Sequence, residues 1–356
     1  MTWLAWRQFR TAALVSFGTL LVLAVILAIT GPQLLHMYDT TVKPCQSIGD
    51  CNTADSAFGN KYNFLQDLLT LVMQVAPALL GLFWGAPLIA REFETGTFRL
   101  AWTQSVTRSR WLAAKLGLVG LATAALAGLL SLAVSWWYAP LDKVGANRFD
   151  GSVFAERGIT PIGYAVFALA IGALAGLLIR RTLPAMTATL VAFVFVRLVF
   201  SQVIRQHLIA PVRATFSLAA TVNGYVAHNA GPANLVAGAP SLPNAWIYSA
   251  RIVNSSGQAL TTRVTASACP ELANQGPPAG LPPAGSAHHI TAVPSPGAQQ
   301  ALQACAAKLS ATYHTLVTYQ PASRYWTFQT LETVIFVAAA LMLAGMTFWW
   351  FRHRLS

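Results

Sequence analysis

Charge is what this sequence has least of. Only 10% of its 356 residues are Asp, Glu, Lys or Arg, while 55% are hydrophobic. An ordinary soluble domain carries about 25% charged residues, so this chain cannot cover a water-facing surface of normal size, and a typical cytosolic enzyme is excluded. Its apolar content excludes disorder as well. Acidic residues are scarcer than basic ones, 11 against 23, for a net charge of +12. Cysteine is rare, at four residues. No CxxC or Cys–His spacing suits a metal, and His288-His289 has no further ligands at structural spacing. No GxxxxGK[ST] loop is present to hold nucleotide phosphates, and no nucleophile motif appears. An intramembrane enzyme would need paired acidic or His residues inside the apolar runs, and these are missing. What remains is an integral membrane protein.

Six runs are long enough, at 1.5 Å per residue, to cross about 30 Å of hydrocarbon. They cover residues 12–35, 69–90, 111–138, 161–179, 183–204 and 331–351. The first is longer than the 7–15 residues of a signal peptide's apolar core and lacks a small-x-small cleavage site, so it reads as a retained anchor. With the N-terminus inside, the cytoplasmic pieces hold Arg7, Arg10, Arg91, Arg99, Arg108, Arg110, Arg180, Arg181, Arg352 and Arg354, opposed by Glu92 and Glu94. That arrangement obeys the positive-inside rule. The basic balance therefore needs no nucleic acid. The expected fold is an all-α polytopic membrane protein with both termini in the cytoplasm of a bacterial cell.

All four cysteines then fall outside. Of three possible connectivities, local pairing of Cys45 with Cys51 and of Cys269 with Cys305 is the simplest. Residues 205–330 are long enough for an extracytoplasmic domain between spans five and six. It holds apolar segments at Leu235-Val236-Ala237 and Trp246-Ile247-Tyr248, then a Pro- and Gly-rich middle. Over 298–318 a helical period follows, with Leu302, Cys305, Leu309, Tyr313 and Leu316 near one face. Residues 1–11, with Trp3, Trp6 and Phe9 spaced by three and Arg7 and Arg10 to face head groups, predict a separate amphipathic helix in the membrane interface.

The segment 91–110 mixes acidic, basic and aromatic side chains at one membrane face. A solvated loop seldom carries Phe93, Phe98 and Trp102 together, and a short helix presented to a cytosolic partner explains them better. Arg197 lies within the fifth run, where insertion scales charge about 2.5–3.5 kcal/mol for an arginine. Abundant Leu, Val and Phe can outweigh that cost, but Arg197 should face a pathway, a subunit interface or the outer surface. Gln74 in the second run is either a pathway residue or a helix-to-helix hydrogen bond. Gly81-x-x-x-Gly85 and Gly172-x-x-x-Gly176 allow close helix packing, more simply within one subunit than between two.

The run Arg91-Glu92-Phe93-Glu94-x-Gly96-Thr97, followed by Leu100, Thr103, Ser105-Val106-Thr107-Arg108 and Lys115, resembles the loop of ABC exporter permeases of the type-2 class. Tyr319-Gln320-Pro321-Ala322-Ser323-Arg324-Tyr325-Trp326 and the opening Trp3-Leu4-Ala5-Trp6-Arg7-Gln8-Phe9-Arg10 are similar to segments of actinobacterial members. The resemblance implies a transport subunit with no catalysis and no bound cofactor of its own. ATP and Mg²⁺ would be used by a separate ABC ATPase, in two copies, with a second permease chain, identical or similar, completing the complex in membrane lipid. The coupling residues would be Glu92 and Glu94 as acidic contacts, Arg91 and Arg99 as basic ones, and Phe93 and Phe98 as anchors. Gly96 and Thr97 would form the turn, and residues 1–11 an elbow helix. A drug, antibiotic or lipid-like compound would be moved outward by alternating access. The large segment 205–330 departs from better-known members. A rival reading is a membrane-anchored sensor or assembly protein acting through it.

Overall fold

A computed structural model describes residues 2–45, 51–96, 107–144, 147–149, 151–226, 234–238, 240, 242, 244–273 and 296–354. The chain divides into two compact units, Met1–Ile209 with Arg324–Ser356, and Ala210–Ser323. Among the described residues, six helical stretches of the first unit are long and apolar enough to cross a membrane: Phe9–Cys45, Asn63–Thr95, Ser109–Tyr138, Thr160–Ile179, Thr182–His207 and Ala322–His353. All six expected runs are there. Helix continues past the expected ends of most of them, because polar flanking residues carry it on.

In chain order the first unit contains α1 (Thr2–Met37), the short α2 (Asn52–Asn60), α3 (Asn63–Leu80) and α4 (Ala86–Thr95). After these come α5 (Arg108–Tyr138), a short α6 (Gly151–Glu156), α7 (Thr160–Ile179) and α8 (Thr182–Val199). The closing helix, α11 (Tyr325–Arg354), follows the second unit. A π-helical turn, Gly81–Gly85, joins α3 to α4. At 1.5 Å per residue α1 is about 54 Å long, well beyond the hydrocarbon thickness. The separate interfacial helix expected over residues 1–11 is therefore a correction: its residues are the opening turns of α1. No Gly or Pro stands between Arg10 and Ala13 to break the helix.

α7 is the hub. It is buried along most of its length, which its sequence permits because small residues recur on every side. The two glycine motifs interlock across it. A Cβ on Gly172 would lie 2.5 Å from the Gly81 carbonyl oxygen, and one on Gly176 2.5 Å from that of Ala86. One on Gly81 would lie 2.7 Å from the Ala168 oxygen. The second and fourth spans thus touch backbone to backbone, and the close packing is within one subunit.

The second unit corrects the all-α expectation. Strands β1 (Val212–Ser217), β5 (Tyr313–Gln320) and β4 (Trp246–Asn254) form an antiparallel sheet in the order β1-β5-β4. Val212 pairs with Tyr319 and Asn254 with Tyr313. β2 (Val222–Val226) and β3 (Asn234–Ala237) form a second pair. Helices α9 (Thr262–Ala268) and α10 (Pro296–Leu309) pack with them, beside single helical turns at Leu218–Thr221 and Pro270–Ala273. The helical period over 298–318 holds only to Leu309. Leu302, Cys305 and Leu309 enter the core, while Tyr313 and Leu316 lie on β5. The β-branched and aromatic run Tyr313-His-Thr-Leu-Val-Thr-Tyr favours a pleated strand, and a turn after Leu309 separates the two periods.

Cys269 and Cys305 form a disulfide within that core, and Cys45 and Cys51 form the other. Chain-entropy arguments give the 36-residue separation of the first roughly 4 kcal/mol of stabilisation, and the 6-residue one roughly 2. Lys308 Nζ, 2.6 Å from Glu271 Oε1, adds an exposed link beside the buried disulfide. That hydrogen bond holds the Glu271 carboxyl below its usual range. His288 and His289 lie outside the described residues.

Candidate functional site

α4 carries the first half of the segment singled out in the sequence. Pro87 sits in its first turn, where the missing N–H costs nothing. Gly96, with φ 70°, ends it in the left-handed conformation that glycine adopts without strain. Successive side chains of its last turn point in different directions, and each meets a different neighbour.

Arg91 is exposed. Glu92 is only 8% exposed and accepts a hydrogen bond from Lys115 of α5, which is 5% exposed. Lys115 Nζ also lies 4.7 Å from the Trp111 ring centroid. Phe93 is half-buried, with the Arg180 guanidinium 5.6 Å above its ring. Arg180 is the residue that stops α7, at φ 57°. Glu94 reaches the start of α8. One carboxylate oxygen accepts the Thr182 backbone N–H at 2.8 Å, and the other the Thr182 hydroxyl at 2.5 Å. It therefore caps the α8 N-terminus in place of Arg181, whose side chain makes no capping bond.

The resemblance makes Glu92 and Glu94 acidic contacts for a partner; in the structure both also bond within the chain, Glu92 buried and Glu94 exposed. A carboxylate at the end of one apolar span and a lysine at the start of the next are brought opposite each other by the antiparallel reversal. Pairing them costs less than burying either alone. Thr97, Phe98 and Arg99 lie outside the described residues, as do the side chains of Trp3, Trp6 and Arg7. Phe9 is 8% exposed and packs edge-on against Trp84, ring centroids 4.5 Å apart, so it is a core residue rather than an interfacial one. Arg10 is exposed.

The opposite end of the bundle gathers a second polar group. Arg197 and Gln74, separate candidates in the sequence, meet there. Arg197 Nη1 donates to the Gln74 backbone carbonyl at 2.7 Å, and its guanidinium lies 4.8 Å over the Tyr164 ring. The Gln74 side chain donates to Glu156 at 3.1 Å, and Thr70 donates to the other Glu156 oxygen at 3.1 Å. Gln74 is thus a helix-to-helix hydrogen bond. Burial pushes the Glu156 carboxyl above its usual range, against the opposing pull of the bonds from Gln74 and Thr70 and of Arg157.

Beside it lies a pair the sequence reading missed. Arg205 grips Glu332 through Nε and Nη2, each at 2.9 Å, and the Tyr164 hydroxyl donates to the same carboxylate. Glu332 is 0% and Arg205 3% exposed. The segment assigned outward as 205–330 therefore begins and ends too early and too late: Arg205 and residues 324–330 belong to the bundle. The signal was present. Glu332 is the acidic residue of the sixth apolar run, and an acid there requires a cation from another span.

A family described as ABC-2 membrane transporter related matches residues 17–205. No curated protein and no solved structure matches the chain. The matched region takes in the first five spans and the whole of the α4 end. The chain belongs to the ABC-2 membrane transporter related family and is an ABC-2 type permease, a multi-pass membrane protein.

Proposed function

We propose that this permease is the export subunit of an ATP-driven transporter, coupled through residues 91–110 to a separate ATPase and working with a second permease chain. The observation that carries this reading is the grip of three spans on the last turn of α4. Glu92 holds α5, Phe93 the end of α7, and Glu94 the start of α8. A push on the chain that follows Gly96 reaches three helices through short side-chain contacts rather than one. Helix shifts of this kind are an established way to convert a local displacement into a two-state change.

In this reading the basic end faces the cytoplasm, as the arginines gathered in the short connecting pieces argue. Arg91 is exposed, as are Glu94 and Thr95 of the same helix end, and it is the basic group there that can meet the partner. Glu92 and Glu94 act as internal transmitters. ATP and Mg²⁺ stay with the ATPase, and the cargo is a hydrophobic or amphipathic compound carried outward by alternating access.

The test is co-expression with an ABC ATPase of the same organism. A stable complex is expected, with ATP hydrolysis stimulated by the permease and the stimulation reduced by Glu94→Ala while the complex still assembles. Absence of both complex and stimulation would overturn the proposal. Unchanged stimulation in Glu94→Ala, together with loss of function when 210–323 is altered, would favour a sensor acting through the outer unit.

A further inference from the structure

Two cavities of about 500 Å³ each open on the bundle between α1 and the second span. Each falls within the range of ordinary ligand sites, about 300–1,000 Å³. They meet across the side chains of Phe83 and Trp84, which line both. Their linings differ in kind. The one at the basic end is walled by Phe9, Pro87, Arg91, Glu92 and Lys115. The other is walled by Val15, Leu20, Leu71, Val75, Leu79 and Leu80. Thr19 also lines the apolar cavity, but its hydroxyl bonds the Val15 carbonyl at 2.9 Å within its own helix. Ser16 supplies the other hydroxyl of this lining, which is otherwise mostly hydrocarbon, and the charged side chains lie in the basic half.

There the charges do not cancel. Lys115 is matched by Glu92, while Arg91 is exposed at the rim and leaves an excess of one positive charge. A cavity with charged walls and an excess positive charge therefore adjoins an apolar one across Phe83 and Trp84. We infer that this groove binds an anionic amphiphile, with its charged headgroup at Arg91 beside the Lys115–Glu92 pair and its hydrocarbon chain laid past Trp84 along α1 and α3. The inference deepens the transport reading by naming a cargo class, and rests on that reading for movement though not for binding.

The placement also explains why Glu92 and Lys115 are kept as a pair at the wall of a cavity. A headgroup that draws Lys115 away loosens the hold of α4 on α5, so cargo and coupling share one contact.

The test uses the purified chain in detergent, without the ATPase. The probe is a fluorescently labelled single-chain lysophosphatidylglycerol, compared with its phosphocholine counterpart by anisotropy. Both headgroups carry a phosphate that Arg91 can bond, but phosphocholine adds a cation that the positive wall repels, so the wild type is expected to bind the anionic probe roughly fivefold more tightly. Arg91→Gln should bring the two probes to within about twofold, and Arg91→Lys should retain most of the preference. Leu79→Trp, at a half-exposed position of the apolar floor, should weaken both probes alike. Equal affinities in the wild type, a preference untouched by Arg91→Gln, or binding untouched by both Leu79→Trp and Val75→Trp would overturn the inference. So would a result in which Leu79→Trp changes only the oligomeric state, which would assign the groove to a second copy. Probe binding without any stimulation of ATPase would leave the site standing and remove the exporter reading instead. Stimulation without binding would do the reverse.

Discussion

The two ends of the helical bundle bury charge in opposite styles. At the end holding Arg197 and Arg205 the charges are braced several times over. Glu332 accepts from both Arg205 nitrogens and from Tyr164. Gln329 bonds the Ile159 and Thr160 backbone N–H groups and the Phe154 carbonyl. Arg157 links to Asp142 at 2.5 Å and lies 3.8 Å over the Tyr138 ring. At the α4 end the polar side chains of the last turn reach each neighbouring helix through one residue, beside the apolar packing of Ala86, Ile89 and Ala90. Redundant bonding fixes a geometry, whereas single contacts can exchange one at a time. The first style suits a fulcrum and the second a lever, which is the division of labour the coupling proposal needs.

The largest expected effect lies at the braced end. Glu332→Gln leaves Arg205 buried without a countercharge, and should cost about 3–5 kcal/mol in detergent unfolding experiments. Glu92→Gln breaks the corresponding pair at the α4 end. Its Lys115 borders a cavity and can reach water there, so the expected cost is smaller, about 1–3 kcal/mol. Equal losses in the two variants would erase the contrast. Glu94→Ala removes only an exposed helix cap and should cost the least stability of the three, yet should reduce permease-stimulated ATP hydrolysis more than Glu92→Gln reduces it per unit of stability lost. Preserved coupling in Glu94→Ala would show that the grip on α8 transmits nothing.

The smallest effect is a pH dependence at the braced end. The native Glu156 carboxyl titrates above its unfolded value. Between those two values the native state holds more protons than the unfolded state, so stability contributed by this group falls as pH rises through that window. Glu156→Gln should flatten the unfolding free energy across the mildly acidic range. A slope unchanged by the substitution would place the titration elsewhere.

Much of this architecture was legible because membrane spans write themselves as long runs without charge. The glycine motifs were legible for a similar reason: two GxxxG spacings on apolar helices have few uses besides close packing. Pairings across the bundle were not. Arg205 and Glu332 sit at the ends of their runs, where a charge looks like ordinary loop composition, and they lie 127 residues apart. Nothing in a local window joins them. Glu92 and Glu94 were placed by type rather than by direction, and two residues of one helical turn face different neighbours. The all-α expectation failed in the second unit because Leu309, Tyr313 and Leu316 satisfy a helical spacing that the backbone abandons after Leu309. The elbow failed because an amphipathic start and an apolar continuation do not by themselves break a helix. The local cysteine pairs were found because a six-residue separation leaves little choice.

One labelling experiment tests the account at its root. All four native cysteines are disulfide-bonded, so Ser105→Cys introduces a unique thiol in the segment beyond α4. A membrane-impermeant maleimide should leave it unlabelled in intact cells and label it once the cells are opened. Labelling in intact cells would put that segment on the outer side, beyond the reach of any cytosolic motor, and would contradict the coupling mechanism.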